Sequence, residues 1–260
     1  LKFFPVPQKW QLAAGSPPHF AGCVSPYQAG NGEKTKVILE HFLDETLDFQ
    51  YVPIDISEAA IADLEQSLKK ELPQLNMHGL VKDYFAGLRW LKQNNGHRRN
   101  IILFLGSNVG NLNHREQHTF LQSLWLSANA GDLVIIGFDL KKDYRIIRAA
   151  YNDSAGVTKA FNLNLLHRIN NDLGGNFDTD AFDYYSVYAP VLGAHVAYIV
   201  SLEDQEVHIE VLNKSFRFKK WEPIHTEYSF KFSIEQIEEL AAKNGFQIRQ
   251  HLFDDERWFV

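Results

Sequence analysis

Helical patterns alternate with short apolar runs along the first half of the chain, and this alternation is the feature that most constrains the fold. Between residues 30 and 138, apolar residues recur every three or four positions in one stretch and form an uninterrupted run in the next, with turn residues at the boundaries. Uninterrupted apolar runs of this kind are typical of parallel strands covered by helices. The sequence therefore predicts an α/β protein with a Rossmann-like layer.

The elements of this layer can be located from their boundaries. Ser57 is a suitable N-cap for a helix with an apolar stripe that stops at Pro73. Asn113, with Glu116 three residues later, predicts the capped start of another helix. The apolar runs that we interpret as strands cover residues 49–54, 100–105 and 133–138.

Beyond Asp139 the pattern changes, and the chain leaves the Rossmann-like layer. Residues 144–173 have a helical pattern, whereas residues 195–232 alternate with period two, with turns near Asp204 and Asn213, which predicts an antiparallel meander. The chain then returns to the layer. Residues 234–243 form an amphipathic helix with Gly245 at its end, and residues 246–260 are expected to supply closing strands.

Composition excludes several classes of partner. With 26 Lys+Arg against 32 Asp+Glu, the net charge of −6 gives no electrostatic reason to expect nucleic-acid binding. The single cysteine, Cys23, has no partner for an internal disulfide and no zinc-type spacing. Because an apolar run long enough to cross a membrane is absent from the sequence, we expect a cytoplasmic protein without a membrane segment. The sequence does not fix the oligomeric state, and we favour a monomer. Leu1 stands where an initiator Met would, and the prolines that follow predict an irregular N-terminus.

Glycines and an acid suggest a nucleoside-binding edge. Gly30 and Gly32 precede a helix, where the absence of a side chain lets the backbone approach a ligand. Asp55 ends the next predicted strand, and an acid at that position accepts hydrogen bonds from ribose hydroxyls. The same spacing also occurs in ordinary turns, so it favours a nucleoside site without establishing one.

The residues after Gly32 disfavour a diphosphate. A dinucleotide site prefers a third glycine at the helix start, but Lys34 and Thr35 occupy that region. S-adenosylmethionine, an adenosyl ligand without phosphate, fits better, and Asp83 with Tyr84 is placed to flank its adenine. An NAD(P)-dependent oxidoreductase would need the missing glycine and is therefore a distant alternative.

Other polar motifs have both an ordinary and a functional interpretation. Residues 104–111 follow a strand at the edge where such sheets bind ligands, yet their composition also suits a simple turn. His114 and His118 are four residues apart, but Arg115 stands where a zinc-protease motif has Glu, so we expect solvated histidines and no metal. Glu227 and Ser229 share one face of a predicted strand.

Four segments together resemble the histidine-specific S-adenosylmethionine-dependent methyltransferase family of ergothioneine biosynthesis. The resemblance runs from about Gly30 to the C-terminus, and the third and fourth segments are long and unusual. It implies a class I methyltransferase domain with an inserted α+β substrate-binding domain, and up to three methyl transfers to the α-amine of L-histidine, giving trimethylhistidine. The segments are YVPIDIS (51–57), FLGSNVGN (104–111), AYNDSAGVTKAFNLNLLHRINNDLG (150–174) and HTEYSFKF (225–232).

The resemblance also implies domain boundaries and residue roles. The expected boundaries are 1–23 for an irregular N-terminal segment, 24–141 with 231–260 for the methyltransferase domain, and 142–230 for the insert. The small-molecule partners are S-adenosylmethionine and an amino acid, and no residue is assigned as a general base. The implied cofactor-binding residues are Gly30, Gly32, Lys34, Asp55, Asp83 and Tyr84. The implied substrate-binding residues are Asn111 and Tyr151 for the α-carboxylate end, and Glu227 and Ser229 for the imidazole.

Two departures from the family pattern keep alternatives open. Gln28 stands where the family usually has a glycine, and residues 1–28 contain no match to the tyrosine-bearing segment that precedes the cofactor loop. A noncatalytic protein that binds an amino acid or S-adenosylmethionine is one alternative. A methyltransferase for another amino acid is a second, because a few pocket changes alter substrate preference.

Overall fold

The computed structural model describes residues 19–23, 33–94 and 99–260. The chain forms two compact units. One contains the chain up to Leu140 together with Ser233–Val260, and the other is Lys141–Phe232. Gly30, Gly32 and Gln28 lie outside the described residues, so the roles predicted for them stay predictions.

A parallel sheet is the framework of the first unit. Its strands are β1 (His19–Cys23), β2 (Gln50–Tyr51), β3 (Ile54–Asp55), β4 (Leu80–Val81), β5 (Asn100–Phe104) and β6 (Leu133–Ile136). The order is β4-β3-β1-β5-β6, with β2 also pairing with β1. From β1 the chain adds β3 and β4 on one side of the sheet, and β5 and β6 on the other. The strand order therefore reverses between β1 and β5, and doubly wound sheets bind ligands at this switch point. The predicted Rossmann-like α/β fold is confirmed.

Two strand predictions in this sheet were wrong in detail. The segment 1–23 was expected to be irregular, but His19–Cys23 forms β1 and pairs residue by residue with β5. Its sequence, HFAGC, has little strand propensity, so the pairing on both sides accounts for it. The single strand expected over 49–54 is split into β2 and β3, because Pro53 has no N–H to donate to the ladder.

Helices pack their apolar faces against this sheet. Ile61, Leu64 and Leu68 form the buried stripe of the second helix, as predicted. The predicted caps are also confirmed: the Ser57 side chain accepts a hydrogen bond from Ala60 N, and Asn113 forms a capping box with Glu116. The helices of this unit are α1 (Glu33–Asp44), α2 (Glu58–Glu71), α3 (Tyr84–Asn94), α4 (His114–Ser127) and the C-terminal helix (Ile234–Lys243).

The second unit combines two helices with two antiparallel sheets. The helices are α5 (Tyr144–Tyr151) and α6 (Val157–Leu173), which makes Ile234–Lys243 helix α7. The strands are β7 (Phe182–Ala189), β8 (Ala194–Ser201), β9 (Gln205–Ile209), β10 (Lys214–Phe218) and β11 (Pro223–Phe230). One sheet has the order β11-β8-β7, and β9 pairs with β10 in the other.

The predicted meander was therefore wrong in its connectivity, since β8 pairs with β7 and β11 and not with β9. The predicted continuous helix over 144–173 is also interrupted. Asp153 lies in the break between α5 and α6. Its carboxylate accepts hydrogen bonds from the backbone N–H groups of Val157 and Thr158, at 2.8 and 2.9 Å. These bonds start α6. A hydrogen bond from the Thr158 side chain, together with the two backbone bonds, lowers the pKa of Asp153 to about 2.

The C-terminal segment is less regular than expected. Helix α7 ends as predicted, with Gly245 at a φ of 83° just beyond it. Residues 246–260, all described, form no strand, so the expectation of closing strands was wrong. Phe138 and Val260 nevertheless exchange two backbone hydrogen bonds of 2.7 and 3.1 Å, which hold the C-terminus beside the end of β6.

Gly87 of α3 provides a test of the packing beneath the end of β3. A Cβ atom built at Gly87 would lie 2.5 Å from Cγ2 and 2.7 Å from Cδ1 of Ile54, which precedes Asp55. Gly87→Ala gains helix propensity of up to about 1 kcal/mol but overpacks the core by about 1–3 kcal/mol. We expect a lower free energy of unfolding in urea, whereas Gln93→Ala on the exposed face of α3 should not lower it. Equal stability of the two variants would contradict this packing.

Candidate active site

Asp55 is the buried acid at the carboxyl edge of the parallel sheet. It ends β3 and is only 4% exposed. Its Oδ1 accepts a hydrogen bond from Ser57 N at 2.8 Å, while its Oδ2 has no hydrogen-bond partner among the described residues. A buried carboxylate oxygen without a donor is unfavourable. This oxygen therefore suits the hydroxyl group of a ligand.

The segment after β5 has a strained backbone instead of a simple turn. Gly106 and Ser107 both have positive φ, 86° and 61°, and the 3-10 helix Asn108–Asn111 follows. A Cβ atom built at Gly106 would lie 3.2 Å from the Asn108 side-chain nitrogen and 3.9 Å from Lys34 Nζ. Gly106 is exposed, so the backbone at this position is open to a ligand at the sheet edge, with the Lys34 ammonium close by. Asn111 is half-buried at the end of the 3-10 helix.

Asp83 and Tyr84 follow β4 at the same edge. Asp83 is exposed, and its Oδ1 accepts a hydrogen bond from Ala86 N at 2.9 Å, which caps α3. The half-buried ring of Tyr84 packs against Phe104 and Phe120, with ring centroids 5.5 and 4.8 Å apart. Tyr84 therefore presents an aromatic surface fixed by the core, while Asp83 has a structural role as a cap.

In the second unit, the structure brings together side chains that are far apart in the sequence. Tyr151, the last residue of α5, and Ser229 of β11 are joined by a hydrogen bond of 2.6 Å between their hydroxyl oxygens. Tyr184 Oη donates to the backbone oxygen of Tyr151 at 3.1 Å and so fixes the end of α5. Glu227 lies two residues from Ser229 on the same strand face.

A β-bulge sets which face of β11 carries Glu227 and Ser229. His225 pairs with Tyr198, but Glu227 pairs with the next residue of β8, Ala197, so Thr226 is the extra residue. Thr226 Oγ1 is held by a hydrogen bond of 3.0 Å to the buried Asn162 of α6. The bulge puts Glu227 on the face of β8 that carries Ala197.

Two members of this cluster, Lys231 and His195, were missed by sequence reasoning. Lys231 is 3% exposed, and its Nζ donates to Tyr151 Oη at 2.8 Å and to Ser229 Oγ at 2.7 Å. His195 is 2% exposed, pairs with Ser229 in the ladder, and stacks on the Tyr151 ring at 3.9 Å between centroids. The spacing of two residues from Glu227 to Ser229, continued by one step, would have placed Lys231 on the same strand face. Nothing in the sequence singled out His195.

Burial and the ammonium of Lys231 control the protonation of this cluster. Burial, together with the charge of Lys231, lowers the pKa of His195 to about 4, so its imidazole is neutral near pH 7. Burial raises the pKa of Glu227, and the attraction of Lys231 opposes this rise. Burial also raises the pKa of Tyr184. The cluster therefore combines a buried cation, a neutral imidazole and a carboxyl group that gains from an added hydrogen-bond donor.

Two further observations concern metals and membranes. Over residues 33–94 and 99–260, His, Cys, Asp and Glu side chains do not gather in groups of three or more able to hold a metal ion. Within the part of the chain that the structure describes, the helices are too short or too polar to cross a bilayer.

The sheet topology and the buried acid at the end of β3 are those of a doubly wound, Rossmann-like fold with a nucleoside-binding edge. The chain belongs to the family described as "Histidine-specific methyltransferase, SAM-dependent", which matches residues 22–260. It is therefore an S-adenosylmethionine-dependent N-methyltransferase, and the family membership disfavours both the noncatalytic alternative and the oxidoreductase.

Proteins similar to this chain have more than one name. Histidine N-alpha-methyltransferase of Mycolicibacterium smegmatis is 29% identical over 84% of this chain and 67% of that protein. Ergothioneine biosynthesis protein 1 of Schizosaccharomyces pombe is 28% identical over 89% of this chain but only 30% of that protein. N-methyltransferase imqF of Aspergillus flavus is 25% identical over 88% of this chain and 63% of that protein. Similarity at this level leaves the substrate open.

The buried imidazole of His195 is expected to titrate far below the usual range. Because an unfolded chain binds this proton near pH 6.5, the stability that the neutral ring contributes, about 3 kcal/mol, is fully present above pH 6.5 and is lost as pH falls towards 4. NMR titration should show one imidazole with a pKa near 4, and His195→Phe should remove that signal. The same variant should reduce the loss of stability between pH 6.5 and 4; an unchanged slope would contradict the assignment.

Proposed function

We propose that the protein transfers methyl groups from S-adenosylmethionine to the α-amine of L-histidine, up to trimethylhistidine. The observation that supports this substrate most strongly is the position of Glu227, a partly buried carboxyl group on the strand face that also carries Ser229, the hydrogen-bond partner of Tyr151. A partly desolvated carboxyl group gains most from a ligand that carries an N–H group, as an imidazole does. The names of the bacterial relatives agree with this substrate.

The cofactor is proposed to bind at the carboxyl edge of the parallel sheet. Asp55 Oδ2 would accept a hydrogen bond from a ribose hydroxyl, which fits a buried oxygen that has no donor among the described residues. Tyr84 and Asp83 would border the adenine, and Lys34 would lie by the cofactor loop with Gly30 and Gly32. When bound, S-adenosylmethionine supplies a methyl group already activated by its sulfonium.

The amino acid is proposed to be recognised at its two ends. Asn111 and Tyr151 would bind the α-carboxylate end, and Glu227 and Ser229 would bind the imidazole. A substrate without an imidazole N–H would leave Glu227 unpaired, which costs about 1–3 kcal/mol and selects for histidine. We propose that Lys141–Phe232, which contains three of these four residues, is the inserted substrate-binding domain.

Methyl transfer needs a neutral amine aligned with the sulfonium, so positioning matters more than a nucleophilic side chain. Asn111 and Tyr151 are polar but uncharged, and they do not favour the protonated amine in the way that a nearby carboxylate would. His195 is a poor proton acceptor, because its pKa is about 4. We therefore assign no general base.

The product mass tests the proposed function directly. The protein is incubated with S-adenosylmethionine and L-histidine, and the mass of the amino acid is measured. We expect histidine with one, two and finally three added methyl groups. Binding of S-adenosylmethionine without methylation of histidine would contradict histidine as the substrate, and a parallel incubation with the other amino acids would then identify any alternative acceptor.

The variant Glu227→Gln tests the origin of the preference for histidine. We expect kcat/KM for histidine to fall at least about tenfold, since a neutral amide oxygen accepts a weaker hydrogen bond from the imidazole than a carboxylate does. The Kd for S-adenosylmethionine should stay within about twofold. Glu203→Gln, at an exposed position of the same unit, is the matched control and should leave both quantities unchanged. An equal loss of cofactor binding and histidine use in Glu227→Gln would argue against the assignment.

A further inference from the structure

Lys231, Tyr151 and Ser229 form a hydrogen-bonded cluster in which each of the three polar atoms contacts the other two. Its Nζ donates to Tyr151 Oη at 2.8 Å and to Ser229 Oγ at 2.7 Å, and the two oxygens are 2.6 Å apart. Lys231 and Ser229 are 3% and 8% exposed, whereas Tyr151 is half-buried. Tyr151 is therefore the member of the cluster that a ligand reaches most easily.

Counting protons shows what this cluster offers a ligand. Each hydroxyl oxygen accepts one N–H bond from Lys231, so neither acts as the donor in those two contacts. The bond between Tyr151 and Ser229 uses one of the two hydroxyl protons. When Ser229 donates in that bond, the Tyr151 hydroxyl proton remains available to a ligand. A hydrogen bond from this hydroxyl is strengthened by the adjacent Lys231 ammonium, and an anionic acceptor gains most from it.

Two further titratable groups interact electrostatically with Lys231, namely Glu227 and His195. Burial raises the pKa of Glu227 and so disfavours its carboxylate form, whereas the attraction of Lys231 opposes this rise. The imidazole of His195 is neutral near pH 7 and stacks on the ring of Tyr151. The Lys231 ammonium also lies 4.8 Å from the centroid of that ring. Tyr151 is thus held by its hydroxyl, by its ring and, through Tyr184, by its backbone oxygen. Its hydroxyl can donate in only a narrow range of directions.

We propose that Lys231 is a positioning residue that orients and polarises the Tyr151 hydroxyl to bind the α-carboxylate of the amino-acid substrate. This inference rests on the proposed function only in requiring an amino acid as substrate, and it does not require histidine. Lys231 acts through Tyr151 and Ser229, so its removal should weaken recognition of the carboxylate and leave recognition of the rest of the ligand largely intact.

The test compares a carboxylate ligand with its uncharged amide. Calorimetry in the presence of S-adenosylhomocysteine gives the Kd of L-histidine and of L-histidinamide for the full chain. Lys231→Met should raise the Kd of histidine by about 10- to 100-fold, the range for a lost charge-assisted hydrogen bond, and change that of histidinamide less than about threefold. Lys231→Arg, which keeps the charge, should retain part of the preference for histidine.

Two controls separate this role from a structural one. Lys159→Met removes an exposed lysine of the same unit that pairs with Asp183 and should not change the preference for the carboxylate. If Lys231→Met does not fold, Tyr151→Phe removes the hydroxyl through which Lys231 is proposed to act. This variant should also abolish the preference for histidine over histidinamide. In a Tyr151→Phe background, Lys231→Met should have little further effect on that preference.

Each remaining outcome is decisive. Equal weakening of both ligands by Lys231→Met would overturn the inference, because the carboxylate would then have no special link to Lys231. If the wild type binds another amino acid instead of histidine, the proposed substrate fails, and the comparison is made with that acid and its amide. A wild type that binds no amino acid more tightly than its amide would also overturn the inference.

Discussion

The β-bulge at Thr226 is the constraint on which the rest of the candidate site depends. In a regular antiparallel ladder continuing from the His225–Tyr198 pair, Glu227 would lie opposite Val196 and would face the other side of the sheet. The extra residue moves the pairing by one position and turns every later side chain of the strand over. Glu227 and Ser229 thereby reach the face that carries His195 and Ala197. A single hydrogen bond, from Thr226 to the buried Asn162, anchors this bulge to α6.

Burial then determines the chemistry of that face. A lysine ammonium in a buried position needs strong acceptors, and two hydroxyl oxygens supply them. Burial, together with this charge, lowers the pKa of His195 and keeps its imidazole neutral. Burial raises the pKa of Glu227, and the charge of Lys231 opposes that rise. In the first unit, the buried charge is negative: one oxygen of Asp55 accepts a hydrogen bond from Ser57 N, and the other has no donor among the described residues.

The sequence predicted the parts of the fold that depend on local signals. The caps at Ser57 and Asn113 and the buried run of β5 follow from residue type and spacing, and the structure has them. It did not predict β1 or the pairing of β8 with β7, because both depend on contacts between distant segments. The same division holds for the site: the motif containing Glu227 and Ser229 is recognisable, whereas His195 is placed only by strand register.

The face of β11 also fixes the distance between the two polar side chains that are proposed to bind the imidazole. Glu227 and Ser229 are two residues apart on an extended strand, so their Cα atoms are separated by about 6.6 Å. This separation is fixed by backbone hydrogen bonds to β8 and not by a mobile loop. The spacing of these two polar groups is therefore set by the pleat of the sheet. A ring that binds to both of them, as proposed for the imidazole, meets two groups whose positions along the strand are already fixed before it binds.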